Sequence, residues 1–223
     1  GTAASVAAVL GQPSYAWRGG RLRTERPAAR VGRLRAGGRT LTGVSVGGAE
    51  HLFLPASHPR LRDVEVLLGW AGRRSRTVQV GSALATPLLR LPGSRRKLDA
   101  MTRRFVRGST GGPSPEDRTK VTTLVVAEVY DAQRLSARQH SLRSGGVLTA
   151  RGRLLSRAEV TGPNPYDLTA RLLAGAAKRL FADRSTAPTG VVGPVQLLDE
   201  DGLLDLGDEV GLRRVEPGQR TRP

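Results

Sequence analysis

Two glycine pairs place the strongest limit on how this chain folds. Gly19-Gly20 and Gly37-Gly38 interrupt a run of short, β-like segments, "YAWRGGRLRTERPAARVGRLRAGGRTLTGVSVGG". A glycine pair in that setting reads as a tight hairpin turn, because glycine accepts the positive φ angles that such turns need. The pairs therefore predict closely spaced strands ahead of any long helix. "RDVEVLLGW" extends the pattern, with Val64 and Val66 alternating against Asp63 and Glu65 as in a strand entering a more buried stretch.

The period then changes. "SALATPLLRL" reads as helix up to Pro92-Gly93, and Ser94 caps a second piece in which Leu98, Met101 and Phe105 share a face. "GSTGGPSPEDR" reads as a loop. "VTTLVVAEVY" is nearly continuous in apolar residues, which predicts a central strand. Residues 131–153 are polar and irregular around Ser144-Gly145-Gly146, and "LSRAEVTG" alternates as a strand. "PNPYDLTARLLAGAAKRLF" is the clearest helix. Asn164 stands at its cap, Pro165 at its first position and Asp167 in its first turn, and Leu168, Leu172, Ala176 and Leu180 form its stripe. "TGVVGPVQLL" reads as a short strand, an acidic helix follows, "GLRRVE" closes as a strand, and residues 217–223 read as a disordered tail.

At the other end, residues 1–12 read as a helix. Thr2 is its cap, Ala3, Val6, Ala7 and Leu10 share a face, and Gly11 and Pro13 are its stop. Strands and helices thus mix without a βαβ rhythm. The expected fold is α+β, a mixed or antiparallel sheet with helices packed mainly on one face, spanning residues 1–216.

Charge and composition narrow the chemistry. The chain has no cysteine, which excludes disulfides, a cysteine nucleophile and thiolate zinc sites. Net charge is +17, and 33 of the 36 cations are arginine. A basic module for nucleic acid or another polyanion is one reading of that charge. A solvated surface, or one facing an acidic partner domain, is the other, and the scarcity of aromatic residues among the arginines favours it. Asp199, Glu200, Asp201, Asp205, Asp208 and Glu209 cluster without metal-loop spacing and read as a surface helix, so no metal site is expected. No run of apolar residues is long enough to span a bilayer, and the expected location is cytoplasmic.

No nucleotide, hydrolase or metalloprotease motif occurs. The candidate contact residues are therefore single positions. Glu50-His51 sets a carboxylate beside an imidazole, a pairing suited to acid–base work or to a surface. Tyr15, Trp17 and Tyr166 are scarce aromatics that either wall a ligand pocket or pack in a core.

Several segments, taken in order, resemble the bacterial saccharopine dehydrogenase-like oxidoreductases, a superfamily that includes the trans-acting enoyl reductases. They are "SYAWRGGRLRTE", "GGAEHLFLPASHPRLRDVEVLLGW", "GSTGGPSPEDR" with "LVVAEVYDA", "VTGPNPYDLTARLLAGAAKRL" and "TGVVGPVQLL". The resemblance implies the substrate-binding and dimerisation part of a two-part enzyme whose N-terminal Rossmann domain binds NADP or NAD. It places Gly1 and Thr2 at the boundary with that nucleotide-binding domain. The chain is then expected to work as a homo-oligomer or with a separate nucleotide-binding domain, on a small anionic substrate, and to bind no cofactor well alone. A truncated remnant without activity is the remaining alternative.

Overall fold

The computed structural model describes residues 14–88, 113–131, 147–148, 152–182 and 188–216. The expected helix at 1–12 with Gly1 and Thr2, the Ser94 piece, most of the irregular 131–153 stretch and the tail lie outside the described residues. The fold is α+β, and its residues group into two units.

The first unit takes in residues 1–35, 40–112 and 130–153. Strands β1 (Ser14–Arg18) and β2 (Arg21–Glu25) pair antiparallel across Gly19-Gly20. Both turn glycines have positive φ, 57° and 74°, the geometry that the pair predicts. The segment after Leu61 runs along the other side of β1. Gly20 N–H donates to Arg62 C=O, and Val64 N–H donates to Trp17 C=O. The continuous strand expected at "RDVEVLLGW" is therefore reduced to a bridge at Val64 and a two-residue strand β5 (Leu67–Leu68), because this stretch divides its backbone bonds between two sheets.

The second sheet has the order β5-β4-β3-β7, with β3 (Val31–Ala36), β4 (Arg39–Ser45) and β7 (Val147–Leu148). β3 and β4 meet at Gly37-Gly38, again with positive φ. β3 pairs parallel with β7 and β4 antiparallel with β5, so the sheet is mixed. Ala28, Val31 and Val44 form its core, with Val46 and Val78 against them.

Two helices complete this unit. Helix α1 (Glu50–Ser57) was not legible as a helix; it has no side-chain cap and carries Pro55 inside. Helix α2 (Ser75–Leu88) follows a 3-10 turn at Gly69–Arg74 and begins well before the "SALATPLL" stretch. Among its described residues, the buried ones are Ser75, Gln79 and Ser82, which all bond to backbone carbonyls. Ser75 Oγ donates to Gly72 at 2.7 Å and Gln79 Nε2 to Ala29 at 3.0 Å, and Ser82 Oγ donates to Pro27.

The second unit takes in residues 36–39, 113–129 and 154–223. Its sheet has the order β6-β8-β9, with β6 (Thr123–Tyr130), β8 (Leu154–Gly162) and β9 (Arg213–Arg214). Thr123 N–H bonds to Pro163 C=O at one end and Asp131 N–H to Arg153 C=O at the other, so β6 and β8 run antiparallel. The expectation that "VTTLVVAEVY" is central is corrected. β8 is the middle strand of the described sheet, and β6 exposes Val125, Ala127 and Val129 in strict alternation. An apolar run reads as buried on both faces only when both faces are covered.

Helix α3 (Pro115–Thr119) starts inside the expected "GSTGGPSPEDR" loop, where Ser114 caps it by accepting Asp117 N–H at 3.1 Å. Helix α4 (Pro165–Ala182) keeps the expected cap, with Asn164 Oδ1 accepting the Tyr166 and Asp167 N–H groups at 3.0 Å. Helix α5 (Pro194–Glu209) replaces the short strand expected at "TGVVGPVQLL", because Gly193-Pro194 opens a helix there. The helix breaks at Asp199, which has φ 55° and accepts Gly202 N–H at 2.7 Å, so Asp199 caps the second half. The acidic cluster runs through this second half: Glu200 and Asp201 lie in its first turn, where carboxylates suit the positive dipole end, whereas Asp208 and Glu209 end the helix and pair with Arg213 and Arg179. Leu168, Leu206 and Val210 form the core, lined by Leu172, Ala176, Leu198 and Leu212.

Candidate functional site

Three of the candidate contact residues meet in the first unit. β1 carries Tyr15 and Trp17 on one face, since they are two residues apart. The start of α1 brings His51 against Tyr15, ring edge to ring face, with centroids 5.9 Å apart and planes at 83°. His51 Nδ1 lies 3.1 Å from both the nitrogen and the oxygen of Gly48. The Glu50 carboxylate folds back over Gly48, where an added Cβ would meet its free oxygen and push that exposed side chain aside. Glu50 therefore sits over the Gly48 backbone, exposed to solvent, one residue before an imidazole that is 1 % exposed.

The chemistry of this corner follows from those exposures. Glu50 offers solvent a carboxylate and Tyr15 is half-buried, so both are reachable by a small polar molecule. His51 is itself buried and packs its ring against Tyr15. Trp17 is held by its own bonds: its indole N–H donates to Leu61 C=O at 3.0 Å. Tyr166 is exposed in the first turn of α4, in the second unit.

Beside β1 lies a charge network that sequence spacing does not reveal. Arg30 is ion-paired with Glu25 at 2.5 Å and with Glu65 at 3.1 Å, and Glu65 is also ion-paired with Arg18. Burial lowers the Arg18 pKa to about 10. That value includes a smaller lowering by the neighbouring Arg30, which Glu25 and Asp63 oppose. Arg26 donates to the Ala28, Ala29 and Gln79 carbonyls, and burial, then Arg30, lowers its pKa. Arginines of the Arg18–Arg39 stretch are thus partly internal fasteners. Partners that stand tens of residues apart leave no local signal.

Comparison with protein-family models, curated proteins and solved structures finds no match. Among the described residues, no group of acidic or histidine side chains is arranged to hold a metal ion, and no helix is long and apolar enough to cross a membrane.

Proposed function

We propose that this chain is the substrate-binding and assembly part of a saccharopine dehydrogenase-like NAD(P)-dependent oxidoreductase, acting with a nucleotide-binding domain. The observation that carries the reading is the meeting of Tyr15, Glu50 and His51 at β1 and the start of α1. All three come from two of the segments that resemble the family. The cofactor supplies the hydride, and the role of this chain is to hold the substrate's polar end. Tyr15 offers a hydroxyl donor and a ring face, and Glu50 a carboxylate for a cationic or amine-bearing group.

The test is to join the chain to a Rossmann-type NADPH-binding domain and follow NADPH oxidation with imino acids and with enoyl thioesters. Turnover of one class, with KM raised several-fold by Tyr15→Phe or Glu50→Gln and kcat little changed, supports the reading. No turnover of either class by a folded, NADPH-loaded assembly contradicts it.

A further inference from the structure

Helix α2 packs on its core through Val78 and a largely polar face, and leaves apolar residues on the opposite side. Its polar residues Ser75, Gln79 and Ser82 are buried against backbone carbonyls, whereas Val80 and Leu84 are 56 % and 66 % exposed. Val80 and Leu84 are four residues apart and so lie one above the other. The residues that share their side are Thr77, Gly81 and Pro87, and the helix has no acidic residue. Exposed Arg73, Arg74 and Arg76 stand at its N-terminal end. A helix end normally favours anions in its first turn, so three cations there are not explained by the dipole.

We propose that the outer face of α2 docks on a membrane surface rich in anionic phospholipid. Val80 and Leu84 enter the boundary between headgroups and acyl chains, and Arg73, Arg74 and Arg76 bind the headgroup phosphates. A short apolar stripe beside a basic cluster is the arrangement for lying on a bilayer, and it accords with a helix too short and too polar to span one. Charge selects the occupant: no acidic side chain interrupts residues 66–88, so the face repels a second copy of its own basic cluster and attracts an anionic surface. The inference is independent of the oxidoreductase reading, since it uses no residue of the Tyr15–His51 corner.

The experiment is co-sedimentation of the full chain with vesicles of phosphatidylglycerol and phosphatidylcholine, and with vesicles of phosphatidylcholine alone. The chain is expected to sediment with the anionic vesicles and to remain in solution with the neutral ones. Val80→Gln with Leu84→Gln is expected to lower the affinity roughly ten-fold or more. Each of Arg73→Gln, Arg74→Gln and Arg76→Gln is expected to lower it about five-fold. The altered side chains are exposed, so far-UV circular dichroism and melting are expected to stay as in the parent; if the double variant melts early, the arginine variants decide the matter. The proposal is overturned if the parent chain ignores anionic vesicles. It is also overturned if the double variant binds them as the parent does, which assigns binding to diffuse charge. Loss of a dimer in the double variant, without loss of vesicle binding, assigns the face to a second copy and overturns it too.

Discussion

Glu65 holds Arg18 and Arg30 together on its one carboxylate, so its removal leaves two guanidinium groups facing each other in a largely buried place. Breaking a fully buried ion pair typically costs 3–5 kcal/mol, and partial exposure lessens that. Glu65→Gln is expected to destabilise the first unit by about 2–3 kcal/mol in urea denaturation. Glu159 gives a pH signature in the second unit. Burial pushes its carboxyl up, but the Arg157 guanidinium and the Gly37 N–H, at 2.6 Å, outweigh burial and hold it below its ordinary value of 4.5. A depressed carboxyl stabilises the fold above the unfolded pKa and loses that stabilisation as pH falls through the folded pKa. Melting temperature is therefore expected to fall below pH 4.5 in the parent, and less so in Glu159→Gln. Neither partnership was legible in the sequence. Glu65 is 35 residues from Arg30 and Glu159 is 122 from Gly37, and spacing carries no information over such separations.

Elements were legible where the signal is local. Asn164-Pro165-Tyr166-Asp167 announces a helix start because one side chain and one fixed φ act within four residues, and the structure has that cap. The glycine pairs announced both hairpins for the same reason. Elements failed where tertiary contacts decide. Helix α1 has no side-chain cap and a proline inside, and its buried residues are His51 and Pro55. Helix α2 buries serines and a glutamine, so an apolar stripe points to its wrong side. Two substitutions test the element account. Asn164→Ala removes the α4 cap and is expected to cost about 1 kcal/mol, read as a shift in the urea midpoint. Leu206 is 2 % exposed between α4 and α5, and Leu206→Ala is expected to cost about 2–5 kcal/mol.

At the scale of the whole molecule, the sequence supports the α+β class but not the grouping into two units. Both units are discontinuous along the chain, each returning after the other, so no linker composition marks a boundary. The candidate corner was legible as residue types, and Tyr15, Glu50 and His51 come together, but their division into exposed Glu50 and buried His51 was not. The proposed function has this corner serve an enzyme whose nucleotide is held by another domain. Calorimetric titration of NADPH into the 223-residue chain, alone and joined to a Rossmann-type NADPH-binding domain, tests it most directly. Binding is expected for the joined protein and none for the 223 residues alone. Tight NADPH binding by the chain alone would contradict it.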